Sequence, residues 1–169
     1  MNIRDIYRNE YLALGQLMAD VYANLEDFPS KEEQPEYYQM LLDIGKFSEQ
    51  ENTRVIVAKD DENNLLGGLV YFSDMAHYGS GGEAPKVKNA SGIRLLGVGE
   101  NARGQGVGKA LTDYCIQQAK ADGNQQVILH TTQAMDIAWK MYEGLGFIRS
   151  ADLDFRQKDL PVYGFRLAI

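Results

Sequence analysis

Residues Arg103-Gly104-Gln105-Gly106-Val107-Gly108-Lys109 put three glycines between a nearly continuous apolar run, 93–98, and an amphipathic stretch, Val107–Ala121. A strand that feeds a helix through such a turn, with a further strand-like run at Gln126–Thr131, makes a β-α-β unit. That unit demands a sheet with a parallel pair and helices packed on its faces. Glycine lets the chain turn tightly and approach a ligand with no Cβ in the way. The first helical turn adds unpaired N–H groups at the positive end of the dipole. A pyrophosphate suits such a place. Spacing separates the known phosphate loops. A Walker loop needs Gly five residues before Gly108 and a hydroxyl after Lys109, where this chain has Arg103 and Ala110. A dinucleotide fingerprint is met literally by Gly97, Gly99 and Ala102. Its helix would start too late, and residues 127–129 lead into His130 instead of the expected acid.

The flanks predict the rest of a mixed sheet. A strand is expected near Ile3; Leu14, Leu17, Met18, Val21, Tyr22 and Leu25 then recur at helical spacing. Pro35 opens a second helix carrying Tyr38, Leu41 and Leu42, with Gly45 at its end. Runs 54–59 and 65–72 flank a turn-forming stretch, 60–64, and pair best as an antiparallel hairpin. Residues 73–92 are rich in Gly and Ser, without periodicity, and form a loop long enough to be read as mobile or functional. Residues 136–143 predict a helix with Ile137, Ala138, Met141 and Leu145 facing inward, and two more strands close the chain. The fold class is α/β, a mixed sheet with helices on its faces, in a single domain spanning 1–169.

Composition narrows the function classes. The net charge of −7 argues against a nucleic-acid partner. Residues 1–62 carry 14 acidic and 6 basic side chains, whereas the remainder carries 10 and 11. The acidic part reads either as a solvated surface or as an attractor for a cationic substrate. No run approaches the ~18 apolar residues of a membrane span, and the charges in the opening ten residues displace a secretion signal. A cytoplasmic protein is expected. Cys115 has no partner for a disulfide, and His77 and His130 do not make up a metal site.

Arg103, Gly106 and Gly108 satisfy the pyrophosphate signature of the GNAT family, the GCN5-related N-acetyltransferases: Gln or Arg, two residues, Gly, one residue, Gly or Ala. Upstream, LLGVGENARG resembles that family's fourth strand and turn. Downstream, MDIAWKMYEGLGF resembles its helix ending in Tyr, a short turn and Gly-Phe, matched by Tyr142, Gly146 and Phe147. The resemblance covers residues 93–147, and the earlier elements agree in order only. It implies a mostly antiparallel central sheet with parallel, splayed fourth and fifth strands and flanking helices. It implies acetyl-CoA as cosubstrate and no metal. The acceptor would be a small-molecule or peptide amine, and a second copy of the chain is a further candidate partner.

By that resemblance, main-chain groups of Leu96 and Val98 would contact pantetheine, with a bulge at Gly97 and an N–H polarising the thioester carbonyl. Arg103, Gly104, Gln105, Gly106, Val107, Gly108 and Lys109 would cradle the pyrophosphate. Tyr142 would be the acid that protonates the leaving sulfur; read without the motif, it is a core aromatic. Met135 stands where relatives often carry Asn. An amine with a pKa of about 10.4 is only about one part in 2500 neutral at pH 7, so freeing it costs roughly 4.6 kcal/mol. Residues 91–98 hold no carboxylate to take that proton, and Arg94 is their only charge. Asp74, Glu83 or a held water are the candidates. Glu26, Asp27, Phe28, Tyr37 and Tyr38 lie where relatives roof the acceptor. Cys115 reads as a buried filler and Trp139 as packing. A cofactor-binding sensor without turnover is the alternative function.

Overall fold

The computed structural model describes residues 1–169. They form two compact units, Met1–Val70 with Leu95–Tyr114, and Tyr71–Arg94 with Cys115–Ile169. Strands β3 (Leu65–Phe72) and β4 (Ala90–Val98) each contribute residues to both.

In the first unit the strand order is β1-β2-β3-β4. β1 (Asn2–Asp5) runs antiparallel to β2 (Thr53–Lys59), from Asn2↔Lys59 to Asp5↔Ile56. The β2–β3 connection closes because Asp60 Oδ1 accepts the N–H groups of Glu62 and Asn64 at 2.9 and 2.8 Å, while Asn63 takes a left-handed φ of 67°. Helix α1 (Tyr11–Ala23) buries Leu14, Met18 and Tyr22, one residue per turn along a single face. Its entry is fixed by Glu10, whose carboxylate accepts from Arg4 and Lys59, both at 2.8 Å. Helix α2 (Pro35–Leu42) begins at its proline as expected. Gly45 does not stop it. Gly45 sits buried in the following turn, Ile44–Glu49, where a Cβ would overlap the Tyr11 ring. Helix α3 (Val107–Ala121) starts in this unit.

In the second unit the order is β4-β5-β8-β6, with β7 on β8. β4 and β5 (Gln126–Thr131) are parallel, from Ala90↔Gln126 to Ile93↔Leu129. β5 then pairs antiparallel with β8 (Leu160–Ala168) along its whole length. β6 (Ile148–Arg149) and β7 (Phe155–Gln157) also run antiparallel to β8, so three strands close the chain where two were expected. The extra one arises because Lys158, with φ 55°, makes a tight turn without glycine. Helix α4 (Asp136–Gly144) differs from expectation in its inward face. Ile137 is 80% exposed, and the buried residue is Tyr142. Trp139 packs edge-on against Phe165 and Tyr163, centroids 4.9 and 5.4 Å away.

The stretch expected as a long loop is pinned. Asn124 Nδ2 donates to Ser73 O and Ser91 Oγ, tying its two ends together. Met75, Tyr78 and Ala84 within it are buried, and β4 already begins at Ala90.

Candidate functional site

At the head of α3 the first helical bond runs from Ala110 N–H to Gly106 O, at 3.0 Å. The N–H groups of Val107, Gly108 and Lys109 precede it and open outward from the first turn. Gly104 and Gly106 take φ values of 75° and 79°, a backbone that side chains disfavour, and a Cβ on either would meet nothing within 4 Å. The side-chain positions of both glycines thus face open space beside the first-turn amides of α3, an arrangement that suits oxyanions. Arg103, Gly104, Gln105 and Gly106 are exposed, and Val107 is buried beneath them as the helix's first anchor. Lys109 is exposed and paired with Asp113 at 3.0 Å; Gln105 Nε2 donates to Asn101 O at 3.1 Å. These side chains bond within the turn and the first turns of α3.

On β4 the backbone irregularity is at Leu95, φ 59°, and not at Gly97. Leu95 is a buried residue in a conformation that costs an L side chain roughly 1–2 kcal/mol, a strain found mainly where a site requires it. Gly97 is glycine for another reason: a Cβ there would collide with Met18 Sδ. Leu96 and Val98 are half-buried, and Leu96 O accepts the Tyr22 hydroxyl at 2.9 Å. That tether fixes the strand in place. It was invisible in the sequence, because 74 residues separate the partners.

Tyr22 also joins an aromatic cluster. Its ring meets Phe28 at 5.5 Å and Tyr37 at 6.0 Å, and Tyr37 meets Tyr38 at 6.2 Å. Tyr38 is buried and donates to Pro29 O at 2.7 Å, which makes it a staple for the α1–α2 connection. Phe28 and Tyr37 remain half-buried, among exposed Glu26, Asp27, Glu32, Glu33 and Glu36.

In the second unit Tyr142 is 4% exposed, its ring set edge-on to Phe147 at 5.7 Å. Burial, followed by Tyr78 and Cys115, holds its phenol well above the usual tyrosine value, so the proton is present throughout the physiological range. Tyr78 is fully buried. Its hydroxyl lies 2.9 Å from His130 Nδ1, and His130 Nε2 lies 2.8 Å from Leu153 O. A carbonyl only accepts, so Nε2 carries hydrogen, and in the neutral ring Nδ1 shares the single Tyr78 hydroxyl proton with Ile93 O, 3.3 Å from that hydroxyl. Burial lowers the His130 pKa in agreement with that neutral form. Both ring nitrogens are engaged, which makes His130 a structural post.

The candidate bases are no better placed. Asp74 is exposed and caps Ala76 N–H at 2.9 Å, and Glu83 is exposed beside Lys86 at 3.3 Å. Arg94, the only charge on β4, donates to Tyr78 O at 2.9 Å. Cys115 is buried. No group of three or more His, Cys, Asp or Glu is arranged to hold a metal ion, and no helix is long and apolar enough to cross a membrane.

Comparison with known proteins agrees with this geometry. A 66-residue stretch is 35% identical to the mycothiol acetyltransferase of Thermobispora bispora, covering 38% of this chain and 22% of that protein. The match therefore spans little more than a fifth of the curated relative. The fold superposes on a GNAT-family acetyltransferase from Staphylococcus aureus Mu50 with a TM-score of 0.75 at 19% identity, covering 99% and 98% of the two chains. A spermidine N-acetyltransferase from Vibrio cholerae, solved with CoA and spermine, gives 0.64 at 16% identity, covering 99% and 94%. Residues 18–147, most of the chain, match the model of one family, and with the exposed amides at the head of α3 and the strained β4 they identify this protein as a member of the acetyltransferase (GNAT) family.

Proposed function

We propose that the protein transfers the acetyl group of acetyl-CoA to a primary amine, by direct attack while both are bound. The observation that carries this reading is the pair of left-handed glycines, Gly104 and Gly106, with open space where side chains would stand and unbonded amides beside them. When bound, acetyl-CoA supplies an activated thioester. The amides from Gln105 to Lys109 hold its diphosphate, and the backbone from Leu96 to Val98 aligns its pantetheine. Tyr142, kept protonated by burial, would give its proton to the sulfur as the carbon–sulfur bond breaks.

The acceptor in this reading is a cationic amine. Half-exposed ring faces of Phe28 and Tyr37 attract cations, and the surrounding carboxylates raise the local concentration of positive charge. With no buried carboxylate pressed against β4, the ammonium loses its proton to water at the site, not to a side chain. A strongly acidic pocket would raise the ammonium pKa and slow that loss.

The test is acetyl-CoA binding by calorimetry, followed by CoA release over a panel of polyamines, aminoglycosides, amino acids and peptides. Binding with acceptor-dependent release supports transfer. Tight binding with no release across the panel supports the sensor alternative. Tyr142→Phe should keep cofactor affinity and lower turnover by about 10- to 1000-fold; an unchanged rate removes Tyr142 from the mechanism.

A further inference from the structure

We propose that Tyr22 is a positioning residue for acetyl transfer, its hydroxyl setting the orientation of the peptide between Leu96 and Gly97; the inference rests on the acetyltransferase reading above. Tyr22 closes the buried face of α1 and is 3% exposed. Its hydroxyl donates to Leu96 O at 2.9 Å. That bond lands one residue after Leu95, whose φ of 59° breaks the regular course of β4. A left-handed leucine relaxes toward ordinary strand geometry unless its surroundings hold it. Turning Leu95 back would swing Leu96 O away from the phenol, so the hydrogen bond opposes the relaxation.

The rest of the grip on this stretch is packing. Met18, one turn before Tyr22, lies so near β4 that a Cβ on Gly97 would collide with its Sδ. From β3, a Cβ on Gly67 would lie 2.5 Å from Gly97 O, and Gly99 N–H donates to Leu66 O at 2.8 Å. Two glycines thus let α1 and β3 close on the strand and confine it. The Tyr22 bond adds a direction at the carbonyl that follows the irregularity. A phenylalanine would fill the same space and keep the ring contacts with Phe28 and Tyr37 without burying a polar atom, so stacking does not account for the hydroxyl. In the proposed reading the backbone from Leu96 to Val98 aligns the pantetheine arm. A reacting group displaced by about 1 Å can react about 100-fold more slowly while bound as tightly. Tyr22 therefore governs how the donor is oriented, not how firmly it is held.

The experiment compares wild type with Tyr22→Phe, using acetyl-CoA labelled with carbon-13 at its carbonyl. It measures the carbonyl resonance of the bound ligand, calorimetric affinity, ligand-free melting temperature and, with any amine that releases CoA in the panel, kcat and KM. The variant should bind acetyl-CoA within about twofold of wild type and melt within about 5 °C of it. Its labelled carbonyl should nevertheless move from the wild-type resonance toward that of the free ligand, and kcat should fall about 10-fold with KM for acetyl-CoA unchanged. A variant that melts far lower while the carbonyl resonance and kcat stay with wild type makes the hydroxyl a prop of the fold. One whose affinity for acetyl-CoA collapses makes Tyr22 part of the binding surface. Either overturns the proposal. Wild type that ignores acetyl-CoA sinks the acetyltransferase reading and this inference with it, whereas wild type that binds beside an unaffected variant sinks the role of Tyr22 alone.

Discussion

Residues 73–92 and 103–109 are both glycine-rich, yet glycine does opposite work in them. In the longer stretch Gly79 and Gly82 make left-handed turns, while Gly92 and Gly81 are crowded: a Cβ on Gly92 would overlap the buried Tyr78 ring, and one on Gly81 would lie 2.8 Å from the Phe155 ring. In the shorter stretch a Cβ on Gly104 or Gly106 would meet nothing. Gly81 and Gly92 leave room for aromatic rings against the backbone. Gly104 and Gly106 leave open space beside the first-turn amides of α3. Density of glycine in a sequence is thus silent about purpose, and the neighbour that each absent side chain would have met decides it.

Substitutions can break the comparison. The largest effect should come from Gly92→Val, which forces a branched side chain into Tyr78 and Met75, both held in the core; we expect about 3 kcal/mol of lost stability or more by denaturant titration. A fully stable variant would mean that the crowding is not real. Gly106→Val should come next and act on binding instead, weakening affinity for acetyl-CoA about 100-fold or more, with a smaller loss of stability from its left-handed backbone. Retained affinity would refute the proposed diphosphate cradle. Gly81→Ala meets a half-buried ring that can move, and should cost about 1 kcal/mol.

The smallest effect is on pH. The folded His130 has a lowered pKa, so below the ordinary histidine value near 6.5 the unfolded chain binds a proton that the native one refuses. Its contribution is complete above that value and is lost as pH falls toward the folded pKa. Exchange protection factors, with the intrinsic pH dependence removed, should then fall around Tyr78 on mild acidification and stay unchanged at residues 103–109. An equal loss of protection in both would remove the distinction.

Much of the fold was legible where one period governs a segment. Helix α3 and strand β5 fall at Val107–Ala121 and Gln126–Thr131, the bounds read from sequence, because each has a single buried face and a glycine or polar turn at its end. β4 was read three residues short: Ala90, Ser91 and Gly92 have little strand preference and are held by pairing with β5. The glycine turn at 103–108 was legible because it follows a strand and opens a helix. The left-handed Leu95 and the Tyr22 tether to Leu96 were not, since each depends on partners distant in the chain. Ile137 was misplaced because a nine-residue helix offers too few turns to fix which stripe faces inward.

One phenol serves two masters in the first unit. Tyr22 stacks with the rings beside the acidic loop and grips a carbonyl of the strand assigned to pantetheine. In the proposed reading, an amine that wedges those rings apart would pull on the strand beside the thioester, which would link the loading of acceptor and donor. Tyr22→Phe would keep the stacking, cut the wire, and leave each ligand indifferent to the other's arrival.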